Sequence, residues 1–280
     1  MTFAITGATG QLGRLAIEKL KTLTSPETIV ALARSPEKLA DLGVEARAFD
    51  YSKPEMLVDA LQGVTVLALI SSSDFDDRVG QHRNVIEAAK AAGVQRIVYT
   101  SITKADISPL IIAQDHKETE NLLAASGLET TVLRNGWYLE NWTDSLKPSI
   151  EAGALIGSVG EGRVSPATRG DYAEALAVVV AGQGHENKVY ELGGEVFALS
   201  DMATAVSERT GKQIPYSSMP KEDYAKILGS VGLPEFVASF IADAEAGAAN
   251  GWLLDESNSL ERLIGRAPTP MKDAVAAALA

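Results

Sequence analysis

The chain has no cysteine, which removes disulfides, thiolate metal sites, iron–sulfur ligation and cysteine nucleophiles together and suits a reducing compartment. A cytoplasmic protein is expected. Histidine is scarce too: His82, His116 and His185 are the only three, without the short spacing of a metal-binding pair, so no metal is expected. No apolar run approaches the roughly 20 residues of a membrane span. Met1 leads directly into a strand-like segment with no charged leader, so neither membrane insertion nor processing is expected. Basic excess is missing as well. Lys plus Arg number 25 against 37 Asp plus Glu, a formal charge of −12, which leaves no positive footprint for nucleic acid. There is no Gly-x-Ser-x-Gly elbow of an α/β-hydrolase and no P-loop. What remains is a chain of 280 residues, 46% apolar, long enough to bury a full core without staples.

The first half alternates short β-branched apolar runs with segments of helical period, the pattern of a parallel sheet covered on both faces. Strands are predicted at 2–6, 28–33, 45–49, 64–70, 96–100 and 128–133. Helices are predicted at 11–23, 36–41, 54–62, 81–92 and 114–126. Most strand segments are apolar throughout, as strands buried on both faces are. Gly93 and Gly127 close the last two helices at positions that favour a left-handed residue. After Asn135 the texture changes: Gly153, Gly157, Gly160 and Gly162, followed by Pro166, are turn-rich. The expected fold is α/β, a doubly wound parallel Rossmann sheet over 1–150, with a smaller mixed α/β C-terminal substrate lobe over 151–280. A strand at 188–192 is expected to return to the first domain. Further helices are predicted at 171–180, 201–210, 222–230 and 235–248, with a last alanine-rich one after Pro270.

Thr2 to Thr6 runs into Gly7-Ala8-Thr9-Gly10-Gln11-Leu12-Gly13, and helical period follows from Arg14. Strand, glycine turn and helix in that order let the backbone turn tightly and approach a diphosphate, with the N–H groups of the helix start facing the anion. A dinucleotide site is the expectation, and the Gly-x-x-Gly-x-x-Gly spacing resembles that of extended and atypical short-chain dehydrogenases. The second strand ends in Ala33-Arg34-Ser35, with a guanidinium where an acidic residue would grip a ribose hydroxyl. That favours a 2′-phosphate, hence NADP (NADPH) over NAD. Asp50 contacts the adenine or caps the helix after Pro54.

Short-chain dehydrogenases usually reduce carbonyls with a tyrosine and a lysine four residues on, which together supply the proton. None of the seven tyrosines has a lysine at that spacing. Where that helix should begin stand His116 and Lys117, the remaining candidates for proton donation or ligand contact. The missing pair favours either acceptors such as quinones, whose ring spreads the charge that a ketone would concentrate in an alkoxide, or no catalysis at all.

Ligands of doubly wound sheets lie beyond the carboxyl ends of the strands. Ser71, Ser72 and Ser73 follow the fourth strand and either bond the nicotinamide ribose or cap a turn. Asn135 and Gly136 follow the sixth. Trp137 and Tyr138 beside them offer flat faces for an aromatic acceptor or fill an apolar seam.

Taken together, Gly7 to Gly13, the Arg34 stretch, Gln81 to Val94, Tyr99-Thr100-Ser101 and Leu133 to Tyr138 resemble the NmrA-like atypical short-chain dehydrogenase/reductases, in particular their bacterial quinone-reducing branch. The likeness continues through Ala167-Thr168-Arg169, Gly184 to Tyr190 and Leu263 to Arg266. It implies NADPH contacts on Gly7 to Leu12, Arg34, Ser71 to Ser73 and Asn135 to Glu140, Leu139 included. It also implies an NADPH-dependent oxidoreductase that passes a hydride directly to a quinone or similar conjugated acceptor. The alternative within the same family is a non-catalytic, redox-sensing regulator of the NmrA type. A small aromatic or quinone substrate is the expected partner, and a homodimer is compatible with the sequence.

Overall fold

A computed structural model describes residues 1–280. In chain order the first elements are β1 (Phe3–Ile5), α1 (Gln11–Leu20), β2 (Ile29–Ala33), β3 (Glu45–Ala48), α2 (Pro54–Ala60) and β4 (Val66–Leu69). They continue with α3 (Arg78–Ala91), β5 (Arg96–Ile102), α4 (Ile111–Ala125), β6 (Glu129–Asn135), α5 (Glu140–Thr143), α6 (Leu146–Ala152), β7 (Leu155–Gly157) and β8 (Arg163–Val164). The remainder comprises α7 (Arg169–Ala181), β9 (Lys188–Leu192), β10 (Phe197–Ala198), α8 (Leu199–Thr210), β11 (Tyr216–Ser218), α9 (Lys221–Ser230), α10 (Glu235–Ala248), α11 (Ser259–Ile264) and α12 (Met271–Ala278). Pro36–Leu42, expected as an α-helix, is a 3-10 segment. Two compact units form. One holds 1–105, 115–135 and 169–190, and the other holds 106–114, 136–168 and 191–280.

The first unit is built on a seven-stranded sheet of order β3-β2-β1-β4-β5-β6-β9. The pairs β1–β2, β1–β4, β2–β3, β4–β5 and β5–β6 are all parallel. This is the expected doubly wound Rossmann sheet. Alternate strand residues Ala4, Val30, Leu32, Leu67, Leu69, Ile97, Tyr99 and Val132 pack in one core with Leu57 and Leu61 and with Val85, Ile86 and Ala89 of α3. The period of two turns Phe3, Ile5, Ile29, Ala31, Ala68 and Val98, also buried, to the opposite face. There α1 packs against α7. Its buried residues Leu12, Gly13, Ala16, Ile17 and Leu20 fall on one helical stripe, and Lys19 pairs with Glu174 at 3.0 Å. Because the chain leaves β1 for β2 on one side and later returns to β4 on the other, the strand order reverses between β1 and β4, where such sheets hold their ligands.

The second unit is mixed, with two short sheets, β7–β11 parallel and β8–β10 antiparallel. Helix α9 packs on α10, and α12 on α8 and α5. Its interior holds the carboxylate of Glu245, 2% exposed. That group accepts hydrogen bonds from Trp142 Nε1 at 2.8 Å, Ser158 N–H at 2.8 Å and the Tyr224 hydroxyl at 3.3 Å. No helix in the chain is long and apolar enough to cross a membrane.

Candidate cofactor site

The turn after β1 is shaped by three glycines with three different tasks. Gly7 has φ +60°, a conformation that glycine enters without steric cost. Gly13 leaves no room for a side chain: a Cβ there would lie 2.4 Å from the Gly7 carbonyl oxygen and 2.9 Å from Ala8 Cα. The helix start therefore rests directly on the turn. Gly10 is exposed and precedes α1 in extended conformation. The turn is internally tied by Gly10 N–H to Gly7 C=O at 2.9 Å and by Ala8 N–H to Leu32 C=O at 3.1 Å. Gln11, Leu12 and Gly13 open the helix, where geometry leaves their N–H groups without intrahelical partners and concentrates partial positive charge.

Thr6, unremarked in the sequence, joins the ends of β1 and β4. Its hydroxyl donates to Ala68 C=O at 3.1 Å and accepts from Ile70 N–H at 2.9 Å. The Tyr51 hydroxyl meets both Thr6 Oγ1 and, at 2.9 Å, Ile70 C=O. Burial raises the Tyr51 phenol well above its ordinary value, so it stays protonated and serves as a donor.

Arg34 lies just beyond β2, exposed, and its guanidinium enters no ion pair. Its charge is felt at Asp50 and Asp74. Asp50 does not cap α2, whose N-cap is Lys53. Instead its carboxylate accepts from Ser52 N–H at 3.1 Å and Ser52 Oγ at 2.8 Å, closing a local turn. Burial pushes the Asp50 carboxyl up, but these bonds together with Lys53 and Arg34 outweigh it, leaving the group below its usual value.

Beyond β4, the Ser71 N–H donates to Thr100 Oγ1 at 2.9 Å. Ser72 does cap a turn, accepting at Oγ from Asp74 N–H at 3.1 Å while donating to Gln81 Oε1 at 2.7 Å. The Ser72 N–H donates to His82 Nε2 at 2.9 Å, and the Ser72 carbonyl accepts from Arg78 Nε at 2.8 Å. Beneath this segment His82 is fully buried, edge-on to Tyr99 with ring centroids 5.4 Å apart. His116 and Lys117 face opposite ways. His116 is buried with Nδ1 2.7 Å from the Tyr99 hydroxyl, and burial holds its pKa well below the ordinary value. Lys117 is exposed on α4. On the same side, Ser101 Oγ and Arg134 both bind the Glu120 carboxylate, at 2.6 Å each for the shortest contacts.

Asn135 ends β6, and its buried Oδ1 has no donor. Gly136, Trp137, Tyr138, Leu139 and Glu140 belong to the second unit, where 137–139 run beside Ala167. Trp137 packs at 6.2 Å, ring to ring, on Phe240, and its buried Nε1–H has no acceptor. The first unit thus gathers Gly7 to Gly13, Arg34, Asp50, Ser71 to Ser73 and Asn135 at the carboxyl ends of β1, β2, β3, β4 and β6.

A glycine turn at the reversal point of a 3-2-1-4-5-6 sheet defines the class: a dinucleotide-binding α/β protein. The chain belongs to the NAD(P)H-binding family, whose model matches residues 7–188, and the NmrA-like resemblance is borne out by its relatives. It is 48% identical over 276 residues to quinone oxidoreductase 2 of Escherichia coli strain K12, covering 97% of this chain and 96% of that one. The structure of an NADPH-dependent quinone oxidoreductase from Escherichia coli in complex with NADPH superimposes with a TM-score of 0.97 at 46% identity, over 100% of both chains. Triphenylmethane reductase from Citrobacter sp. matches with a TM-score of 0.94 at 36% identity, over 100% of this chain and 99% of that one.

Proposed function

We propose that the protein is an NADPH-dependent oxidoreductase that passes a hydride directly to a quinone or similar electron-poor conjugated acceptor. The observation that carries this reading is the turn at Gly7 to Gly13, backed at the end of β2 by the unpaired Arg34 guanidinium, together in a chain that shares 48% identity with a quinone oxidoreductase. The residues fit the cofactor. Exposed Gly10 gives a diphosphate access to the helix start, and Arg34 offers a planar cation to a 2′-phosphate. The buried Oδ1 of Asn135 is an acceptor without a donor, a need that the carboxamide of a nicotinamide would meet.

NADPH supplies the hydride; the chain's own residues bind and orient. The glycine turn and α1 would hold the diphosphate, Arg34 would select the phosphorylated ribose, and Ser71 to Ser73 and Asn135 would contact the nicotinamide half. No tyrosine stands four residues before a lysine, and a quinone does not require one, because its reduced form delocalises the charge and takes its proton from water.

Purified protein mixed with NADPH and a small benzoquinone should consume NADPH well above the uncatalysed rate, and faster than with NADH. Tight NADPH binding without any oxidation would instead identify a redox-sensing regulator of the NmrA type.

A further inference from the structure

Both backbone polar groups of Ser72 are tied to one residue 43 positions away, by two separate routes. On the first route the Ser72 N–H donates to His82 Nε2 at 2.9 Å, His82 Nδ1 lies 2.9 Å from Thr119 Oγ1, and the Thr119 hydroxyl donates to Asp115 C=O at 2.8 Å. On the second, the Ser72 carbonyl accepts from Arg78 Nε at 2.8 Å, and Arg78 Nη1 reaches the Asp115 carboxylate at 3.3 Å. The two routes close a ring through the Ser72 peptide, α3 and the first turns of α4.

The proton positions in this ring follow from its ends. A backbone N–H can only donate, so Nε2 of His82 carries no hydrogen. A carbonyl can only accept, so the Thr119 hydroxyl spends its hydrogen on Asp115 and turns a lone pair to the imidazole. His82 is therefore neutral, with its hydrogen on Nδ1. Burial, and secondarily the nearby Arg78 charge, lower its pKa to about 3, in keeping with that form. The opposite tautomer would set an Nε2–H against the Ser72 N–H.

We propose that His82 and Thr119 are positioning residues for the cofactor: Thr119 fixes the His82 tautomer, and that tautomer fixes the Ser72 peptide in the segment that contacts the nicotinamide half. This rests on the NADPH reading above. It assigns a binding role to two buried side chains that lie behind the segment rather than in it, both fully buried.

The test replaces the hydroxyl without changing side-chain shape. Thr119→Val removes the acceptor from Nδ1–H and with it the reason for the tautomer. NADPH affinity, measured by fluorescence titration, should fall about tenfold, the scale of one net hydrogen bond. The KM for NADPH should rise by the same factor, more than kcat falls. Nitrogen NMR of the imidazole should show a bare Nε2 in the wild type and a loss of that single tautomer in the variant. Thr119→Ser, which restores the hydroxyl, should recover both affinity and tautomer. Asp115→Asn, on the half-exposed partner of Arg78, loosens the second route alone and should weaken NADPH in the same direction.

Wild-type affinity in Thr119→Val, or equal losses in the valine and serine variants, overturns the proposal while leaving the cofactor reading intact. Failure of the wild-type protein to bind NADPH overturns the cofactor reading and this inference with it, even where the NMR tautomer is as described.

Discussion

Replacing Gly13 by alanine separates packing from ligand binding within one turn. The added Cβ would lie 2.4 Å from the Gly7 carbonyl oxygen and 2.9 Å from both Gly7 C and Ala8 Cα. All three are backbone atoms, so no side chain can swing aside. Restoring van der Waals separation needs a displacement of about 1 Å between α1 and the turn, and α1 is also packed against α7. Overpacking of this kind costs roughly 1–3 kcal/mol. The better helix propensity of alanine returns about 1 kcal/mol at most, but a clash with fixed backbone sits at the upper end of the range. A net loss of about 2 kcal/mol is expected, with NADPH binding impaired because the helix start has moved.

Gly10→Ala is the counterpart. Its Cβ meets only the Gly7 carbonyl oxygen, at 3.2 Å, and its φ of −76° suits any residue. Stability should change by less than about 1 kcal/mol, while the methyl group stands where a diphosphate would approach and NADPH affinity falls steeply. Urea unfolding followed by circular dichroism, with NADPH titration of each folded variant, reads both quantities. A Gly13→Ala protein as stable as the wild type would refute the close-packing argument. A Gly10→Ala protein with undiminished NADPH affinity would refute the cradle.

Other perturbations test the remaining parts. Arg34→Ala should weaken NADPH by roughly tenfold or more and NADH hardly at all, since only the former presents a second phosphate to the guanidinium; equal losses in paired titrations would show that Arg34 is not the selector. His82 titrates at about 3 in the fold against 6.5 ordinarily, so its contribution is complete above pH 6.5 and is lost as pH falls towards 3. Between pH 7 and 5 that amounts to roughly 2 kcal/mol, which His82→Gln should remove from the urea midpoint's pH dependence. Glu245 behaves in the opposite sense. Burial raises its pKa above 4.5 despite the bonds from Ser158, Trp142 and Tyr224, so its contribution is present at low pH and lost as pH rises through the folded value. Glu245→Ala leaves three buried donors without an acceptor and should cost about 3 kcal/mol or more in urea unfolding at neutral pH; a change under 1 kcal/mol would mean that water replaces the carboxylate.

The parts of this molecule that could be read from its sequence are those whose signal is local. Five parallel strands, β1, β2, β4, β5 and β6, announce themselves as largely apolar runs because they are buried on both faces. The edge strand β3 is legible only from its place in the alternation, its residues being half exposed. Where a pattern spans several turns the match is close: α10 and β9 have the predicted bounds. The glycine turn is legible because its task is set by backbone geometry at three fixed positions.

Pairings made across long chain separations are not legible. Strands β7 and β11 contribute three residues each and meet some sixty residues apart, too short for a period of two to register and too distant for a turn to signal. Asp50 sits before a helix as a cap would, but a serine two positions on competes for its carboxylate and wins. Thr6, Tyr51 and the His82–Thr119 pair share this reason. Each forms its bonds with partners brought close only by the sheet, and His82 in particular lies within an ordinary helical pattern whose apolar neighbours explain its burial without any role. A neutral histidine between a backbone donor and a hydroxyl looks, in one dimension, like any other helix residue. Only when both ends of its hydrogen-bond chain are known does its tautomer, and through it the shape of the Ser72 segment, become determined.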